Sequence, residues 1–238
     1  MKLQSIEYTS GQTRAIGHLA WDESRPGPRP GVVVFAEAFG LNDHARLHAE
    51  RLAQLGYVAF AADLHGDGRV YRDLPSVIPA IQALYGDRTE LRARAQAALD
   101  TLIAQPQVDG RRTAAIGFCF GGATCLELAR TGAALAAIAT FHASITPELA
   151  GDAGKIRSKV LICHGADDPV VKKDALDAVI AELRRDRVDW QFAQYGNTVH
   201  SFTDAGADHR GMPGFGYSAS ASARSWQAMR LLFDEAFK

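Results

Sequence analysis

The sequence predicts a protein of the α/β class, with a mostly parallel central sheet, helices on both faces and an antiparallel hairpin at the N-terminus. Short apolar runs such as GVVVFA at 31–36 and YVAFAAD at 57–63 lack polar alternation. Such runs are typical of strands buried on both faces of a parallel sheet. Longer segments with helical spacing lie between them, and strands that alternate with helices along a chain usually form parallel sheets.

The first half of the chain supplies the hairpin and the beginning of the parallel sheet. A turn at 10–12 joins the two hairpin strands, and a polar, proline-rich loop leads to the first buried strand. The helix over 44–55 is predicted to carry Leu47, Leu52 and Leu55 on one side. The predicted elements are, in order, strands 3–8, 13–20 and 31–36, helix 44–55, strand 57–63 and helix 89–105.

The second half continues the alternation. The predicted elements are strands 113–118, 134–141, 159–164 and 188–195, and helices 121–131, 172–185 and 219–237. The stretch 64–88 contains glycines and prolines and is predicted to mix loop with short helix, as a cap-like or loop insertion. The glycine-containing stretch 203–218 is predicted to form a flap or an ordered loop. No repeat or linker interrupts the pattern, so 1–238 is predicted to be a single domain.

Composition excludes several classes of function. Hydrophobic residues make up 47% of the 238 residues and charged residues 22%, so the chain can bury a core. The formal net charge is −1 and no stretch is densely basic, which argues against nucleic acid as a partner. We see no secretory leader and no apolar run long enough for a membrane helix, so no membrane association is expected. The expected partner is a small molecule, and monomer and homodimer both stay open.

The cysteines bear on location and on metal binding. Three of them, Cys119, Cys125 and Cys163, are too few for a disulfide framework, which fits a reducing, cytoplasmic location. The last two are expected to be core thiols. No C-x-x-C pair and no G-x-G-x-x-G loop is present, so neither a metal nor a cofactor is predicted. His44 and His48 are four residues apart, but without an acidic third ligand a solvated helix face is expected.

The most informative segment is the turn Gly117-Phe118-Cys119-Phe120-Gly121. A buried strand runs into it and a helix runs out, so Cys119 is predicted to lie on a tight strand-to-helix turn that needs small neighbours. The helix N-terminus offers unpaired N–H groups and the positive end of the helix dipole, which favour a thiolate or an oxyanion. The alternative is a small buried core thiol, because free cysteines often play only that part.

Two further residue types favour the nucleophile. An acid, Asp167 or Asp168, follows one predicted strand, and His200 follows the next. Nucleophile, acid and histidine is the chain order of hydrolases that present their nucleophile on such a turn. Each residue lies just past the C-terminal end of a strand, which is where ligands bind in open α/β sheets. The sequence therefore predicts Cys119 as a nucleophile with a histidine base.

With these residues the sequence resembles the dienelactone hydrolase family, the carboxymethylenebutenolidase-like α/β-hydrolases. The resemblance covers nearly the whole chain and implies an α/β-hydrolase fold and hydrolysis of an ester or lactone. The segments that carry it are Glu37-Ala38-Phe39-Gly40-Leu41-Asn42, Ala62-Asp63-Leu64, Gly117 to Gly122, His164-Gly165-Ala166-Asp167-Asp168-Pro169 and His200-Ser201-Phe202.

The resemblance also implies roles for individual residues. Cys119, His200 and Asp168 would form a catalytic triad, because the family spacing favours Asp168 over Asp167. In such a triad the histidine accepts the thiol proton and the acid fixes the tautomer of the imidazole.

Two further roles come from the segment after the first buried strand. The backbone N–H groups of Ala38 and Phe120 would form an oxyanion hole. Glu37 would contact the thiol in the resting enzyme, where a carboxylate stabilises the protonated form and keeps the thiol quiet until substrate arrives. The alternative for Glu37 is a structural acceptor for loop amides.

The substrate is the point at which the sequence departs from the family pattern. Members that hydrolyse dienelactone carry an arginine shortly after the catalytic histidine, and Asp204 stands at that position. An acid there is expected to repel a carboxylate. The weak candidates for substrate contact are Arg69, Arg72, Phe39, Ser201 and Phe202, although a loop arginine is by default a surface charge.

Two other functions stay open on the same residues. A thioesterase, amidase or acyltransferase would use the same triad, although a thiol nucleophile favours esters and lactones over ordinary amides. A non-catalytic domain could use Cys119 as an oxidisable thiol. The ordered acid and histidine argue against that second alternative, because a redox sensor needs no triad.

Overall fold

The computed structural model describes residues 1–238. Its strands are β1 (Lys2–Ser10), β2 (Thr13–Trp21), β3 (Arg29–Phe35), β4 (Val58–Ala62), β5 (Val108–Phe118), β6 (Ala137–Phe141), β7 (Lys159–Gly165) and β8 (Trp190–Tyr195). Its helices are α1 (Asp43–Gln54), α2 (Leu74–Gly86), α3 (Arg88–Ile103), α4 (Phe120–Arg130), α5 (Lys173–Arg185) and α6 (Ala219–Ala236), with a 3₁₀ turn at Ala207–Arg210. No helix is long and apolar enough to cross a membrane.

The eight strands belong to one sheet in the order β1-β2-β4-β3-β5-β6-β7-β8. The pairs β1–β2 and β2–β4 are antiparallel, whereas β3–β4, β6–β7 and β7–β8 are parallel. The predicted α/β class, with its mostly parallel sheet and antiparallel N-terminal hairpin, is therefore confirmed. The fold is that of the α/β-hydrolases, with six helices around the sheet.

The chain divides into two compact units, Met1–Ile116 and Gly117–Lys238. In the first unit, the residues of β4 are all buried, as is the apolar part of β3. In the second unit, β6 is buried along its whole length and β7 is buried after its first residue. Continuous burial is the reason these strands show no alternation in sequence. The single domain over 1–238 stays a prediction.

The segment 64–88 contains a longer helix than the short one predicted. Helix α2 runs for 13 residues, and its cap is Asp73, whose carboxylate accepts a hydrogen bond from the N–H of Ser76 at 2.8 Å. Pro75 stands at the start of the helix, where a missing N–H costs little. Pro79 lies inside it, and an interior proline is the kind of residue that argues against a helix on sequence grounds.

The predicted apolar face of α1 is correct at Leu52, which is fully buried, and wrong at Leu47. Leu47 is 54% exposed, whereas His44 and His48 are buried beside the small residues Ala45 and Ala49. The two imidazole rings meet edge to face, with centroids 4.6 Å apart. Burial therefore holds the pKa of His48 well below its ordinary value. The expectation of a solvated histidine face was wrong. The alanines on that face are small and leave room in the interior for the two imidazoles.

In the second unit, a buried ion-pair network joins helices α4 and α5. The guanidinium of Arg130 lies 2.6 Å from Glu182 and 2.9 Å from Glu127, and all three side chains are buried. The hydroxyl of Thr146, in the loop after β6, donates to Glu127 at 2.7 Å. Removing one partner of such a network leaves a buried charge uncompensated. The network therefore fixes α4 relative to α5 and to the loop after β6.

Candidate active site

Cys119 lies on a strained turn between β5 and α4. Its φ of 52° and ψ of −113° fall outside the regions that non-glycine residues ordinarily adopt. A Cβ at Gly117 would lie 2.0 Å from the carbonyl oxygen of Gly121, so only glycine fits there. Strain of this kind persists only where the surroundings impose it, and it is concentrated at functional sites. Cys119 is also the one cysteine that is not fully buried.

The loop after β6 holds this turn in place. The N–H of Cys119 donates to the carbonyl of Phe141 at 3.0 Å, and the N–H of Ser144 donates to the carbonyl of Cys119 at 3.1 Å. A Cβ at Gly122 would lie 2.6 Å from the Cβ of Ala143, so the loop after β6 can approach this closely only because residue 122 is a glycine. The backbone of Cys119 is thus fixed through both its N–H and its carbonyl.

Ser144 also contacts the cysteine through its side chain. Its Oγ lies 3.5 Å from the Sγ of Cys119, which is within hydrogen-bonding range for sulfur. The sequence did not single out this residue, because Ser144 follows Cys119 by 25 positions and has no motif of its own. The only sequence signal was its position just after a buried strand, at the edge of the sheet where ligands bind.

Asp168 and His200 form a buried hydrogen-bonded pair. The Nδ1–H of His200 donates to the Oδ2 of Asp168 at 2.8 Å, and neither side chain is accessible to solvent. The other carboxylate oxygen accepts from the N–H of Val170 at 2.8 Å. Asp167, the competing acid, is exposed. The structure therefore pairs the histidine with Asp168, the acid that the family spacing favours.

The close approach of two loops makes this pair possible. A Cβ at Gly165 would lie 2.4 Å from the carbonyl oxygen of Thr198. The N–H of Asp167 donates to that same carbonyl at 2.9 Å. Glycine at the end of β7 thus lets the loop that carries Asp168 lie directly against the loop that carries His200.

The charge of the imidazole depends on its two neighbours. Burial by itself would lower the pKa of His200, but interaction with the sulfur of Cys119 when it is ionised and with the carboxylate of Asp168 outweighs burial, so the pKa is raised to about 10. Cys119 is the largest of the influences that raise this pKa. The Nε2 atom is buried and makes no hydrogen bond of regular geometry. Because Nδ1 is bonded to Asp168, Nε2 is the ring nitrogen that can exchange a proton.

A second histidine supports the first. His142 is fully buried in a left-handed conformation, with φ of 40°. Its ring lies edge to face with His200, with centroids 5.1 Å apart, and its Nε2 is hydrogen-bonded to the Oγ1 of Thr203 at 2.8 Å. His142 therefore packs against the imidazole of His200 and limits its movement.

The two residues after His200 are turned into the interior. Ser201 is buried with φ of 58°, and Phe202 is fully buried. The ring of Phe202 packs against Tyr195 and His142, with centroids 5.6 Å and 5.1 Å away. Their contact with substrate stays a prediction, whereas their packing around the histidines is observed.

Asp204 is a paired charge. Its carboxylate forms an ion pair with Arg210 and accepts a hydrogen bond from the N–H of Gly206 at 2.8 Å. The side chain is nearly buried, and these contacts order the stretch before the 3₁₀ turn. Because the guanidinium offsets the carboxylate, the expected repulsion of an anionic substrate by Asp204 is weakened.

In the first unit, the segment after β3 is held by hydrogen bonds to its main chain. Glu37 is buried in this segment. The carbonyl of Ala38 accepts from the Nε2 of His65 at 2.7 Å, and the carbonyl of Phe39 accepts from the N–H of Tyr71 at 2.9 Å. Asn42 then caps α1 by accepting from the N–H of Ala45. The segment is thus rigid where the sequence predicted an oxyanion donor.

The arginine candidates lie in the same unit, on its surface. Arg69 and Arg72 are both exposed. Asp63, in the segment just before them, is buried and accepts hydrogen bonds from four backbone N–H groups, those of Ile16, His65, Gly66 and Gly68. Asp63 therefore has a structural role.

No group of three or more His, Cys, Asp or Glu side chains is arranged to hold a metal ion.

Comparison with known proteins decides the family. The model of the dienelactone hydrolase family matches residues 17–237. The chain belongs to the dienelactone hydrolase family. It is therefore a hydrolase of esters or lactones with the α/β-hydrolase fold, and that part of the resemblance is confirmed.

Relatives and solved structures agree with this assignment. A protein of Escherichia coli (strain K12), provisionally named a carboxymethylenebutenolidase, is 26% identical over 217 residues, which is 85% of this chain and 76% of that one. The solved structure called m3DLH is 62% identical, with a TM-score of 0.98 over 100% of this chain and 99% of its own. A dienelactone hydrolase-like promiscuous phosphotriesterase, P91, from metagenomic libraries is 61% identical, with a TM-score of 0.98 and the same coverage.

Proposed function

We propose that this hydrolase cleaves its ester or lactone through a covalent thioester on Cys119, with His200 as the proton carrier and Asp168 as its partner. The observation that supports the proposal is the buried hydrogen bond of 2.8 Å between Asp168 and the Nδ1 of His200. That bond leaves Nε2 as the nitrogen that exchanges protons. The strained turn at Cys119 and the raised pKa of His200 beside it point to the same pair.

The reaction divides into two steps. The thiol of Cys119 gives its proton to the Nε2 of His200 as the sulfur attacks the carbonyl carbon. The tetrahedral oxyanion then collapses, and the C–O bond to the leaving group breaks while His200 passes this proton to the departing oxygen. Water then attacks the thioester carbon and gives a proton to the Nε2 of His200. The second tetrahedral intermediate collapses and the C–S bond breaks, His200 returns its proton to the sulfur, and the carboxylic acid product leaves with the thiol restored. Asp168 holds the imidazole in the tautomer that both steps need.

Two residues from the first unit complete the proposal. The backbone N–H groups of Ala38 and Phe120 would stabilise the oxyanion, as the family resemblance implies. Glu37 would restrain the thiol at rest by favouring its protonated form. The test for Glu37 is the pH dependence of alkylation of Cys119, which Glu37→Gln is expected to shift to lower pH. An unchanged rate profile would remove Glu37 from the mechanism.

Cys119→Ala tests the central claim. The variant is expected to lose hydrolysis of small aryl esters, because no other group forms the acyl intermediate. Thermal unfolding and circular dichroism of the same sample show whether the fold is retained. A folded Cys119→Ala variant that keeps its esterase activity would exclude the thioester mechanism. Accumulation of an acylated peptide containing Cys119, detected by mass spectrometry with a slow ester, would support it.

We also propose hydrolysis of activated phosphotriesters as a second activity of the same site. Its support is the 61% identity over the whole chain with the promiscuous phosphotriesterase P91. Sulfur would attack phosphorus, displace an aryl oxide and leave an S-phosphoryl cysteine for water to hydrolyse. Diethyl 4-nitrophenyl phosphate is a suitable probe, and Cys119→Ala is expected to abolish its turnover together with that of aryl esters. No turnover by the wild-type protein would exclude this activity.

A further inference from the structure

We infer that Ser144 donates a hydrogen bond to the sulfur of Cys119 and stabilises its thiolate. The Oγ of Ser144 lies 3.5 Å from Sγ, and the sulfur is the one hydrogen-bonding partner of this hydroxyl. With no competing acceptor, the hydroxyl proton is available to the sulfur. This inference rests on the proposed function, because it gives Ser144 a role at the proposed nucleophile.

The position of the hydroxyl is imposed by the main chain. Ser144 is joined to Cys119 through its own N–H at 3.1 Å. Two residues earlier, the N–H of His142 donates to the carbonyl of Cys163 at 2.8 Å, and two residues later Thr146 is bound to the buried Glu127. The loop is thus fixed on both sides of Ser144, so little conformational freedom is lost when the hydroxyl meets the sulfur.

The direction of the effect follows from the chemistry of sulfur. A neutral thiol is a weak donor and a weak acceptor, so its hydrogen bond with a hydroxyl contributes little. A thiolate is a charged acceptor, and hydrogen bonds to charged groups are roughly twice as strong as neutral ones. Ser144 therefore favours the ionised form over the protonated form. Its effect opposes that proposed for Glu37, which favours the protonated form.

Other charged groups act on the same sulfur. In the second unit, His200 interacts electrostatically with Cys119, and its imidazole is hydrogen-bonded to Asp168 and packed edge to face with His142. Glu37 is the acid that the proposal above adds from the first unit. Because Ser144 itself carries no charge, its removal changes only the hydrogen bonding to the sulfur, and the ionic neighbours stay as they are.

The test is the pH dependence of alkylation of Cys119 by iodoacetamide in the full-length protein. The reaction reports on this residue, because burial raises the pKa of Cys163 to about 12 and that of Cys125 well above its ordinary value; Cys119→Ala gives the background rate. Ser144→Ala is expected to move the half-maximal rate upward by about one pH unit, and to slow alkylation about tenfold below that midpoint.

Two variants separate the hydroxyl from other effects of mutation. Ser144→Thr keeps the hydroxyl and is expected to restore the wild-type midpoint. Ser220→Ala removes an exposed hydroxyl on α6 and is expected to change nothing. A Ser144→Ala protein that is folded, as judged by its unfolding midpoint, and that alkylates with the wild-type pH profile would overturn the inference. An active Cys119→Ala variant would instead overturn the proposed function, and would leave the alkylation result standing.

Discussion

At the scale of single residues, Asp168 and Asp167 offer a matched pair of acids. Asp168 is buried against His200, whereas Asp167, its neighbour in sequence, is exposed. Asp168→Asn is expected to lower kcat/KM for an aryl ester by about 10⁴-fold, because the amide favours the wrong imidazole tautomer. Asp167→Asn is expected to stay close to wild type. Equal rates in the two variants would show that the acid has no part in turnover.

The same pair of variants has a second readout in the imidazole. The carboxylate of Asp168 is one of the groups that raise the pKa of His200 to about 10. Loss of its negative charge removes a stabilising partner of the imidazolium, so the pKa of His200 is expected to fall in Asp168→Asn. An NMR titration of the imidazole in both variants measures this, and the fall should be absent in Asp167→Asn.

Single residues of the site differ in how well the sequence predicts them. The turn at Cys119 and the histidine could be predicted, because each has a local pattern and a fixed order along the chain. Spacing distinguished Asp168 from Asp167. Ser144 could not be predicted, because its contact with the sulfur depends on a loop that reaches the cysteine only in the folded chain. Arg210 was missed as the partner of Asp204 for the same reason.

At the scale of elements, glycines decide how closely β7 and the loop after β8 approach. A Cβ at Gly165 would meet backbone oxygens at 2.4 Å and 2.8 Å, which cannot move aside as a flexible side chain can. Gly165→Ala is therefore expected to lower the free energy of unfolding by about 1–3 kcal/mol. It is also expected to reduce turnover, since the loops that carry Asp168 and His200 must separate.

Gly196 provides the control for this prediction. It lies in the loop after β8, and an added Cβ there would meet nothing within 4 Å. Gly196→Ala is expected to change the free energy of unfolding by no more than about 0.5 kcal/mol. Chemical denaturation of both variants gives the comparison, and equal stabilities would contradict the packing argument.

Elements were predicted well where the pattern was continuous and poorly where burial depended on the partner. Unbroken apolar runs in the sequence predict the buried strands β3, β4 and β6. The buried face of α1 combines Leu52 with alanines and histidines, so leucine spacing identified only part of it. Helix α2 carries an interior proline, so local propensity argued against it although the chain folds there as a helix.

At the scale of the whole molecule, alternation of strands and helices was enough to predict a mostly parallel sheet. The position of β4 between β2 and β3 was not predictable, because an apolar run predicts a buried strand but not which strands pair with it. Family membership then added the class of reaction, which no pattern of burial contains. The substrate depends on side chains that line the site, and the sequence named only weak candidates for them.

The pH dependence of stability is a property of the whole chain that one buried group should dominate near neutrality. The pKa of His200 is raised from 6.5 to about 10 in the folded state. A raised pKa means that the folded state binds the proton more tightly than the unfolded state does. The resulting stability is fully present below about pH 6.5 and is lost as pH rises through about 10. We therefore expect the difference in free energy of unfolding between the wild type and His200→Gln to shrink steadily over this range.

His209→Gln supplies the matched control, because His209 is an exposed imidazole in the same part of the chain. Its free energy of unfolding is expected to run parallel to that of the wild type from pH 6 to pH 10.5. Chemical denaturation at closely spaced pH values measures all three proteins, and taking differences cancels the groups they share, such as Lys159, whose pKa of about 12 lies above the range. A constant difference between the wild type and His200→Gln would mean that the folded protein does not hold the imidazole in its charged form. A difference that shrinks with rising pH would show that folding stabilises the imidazolium beside Asp168.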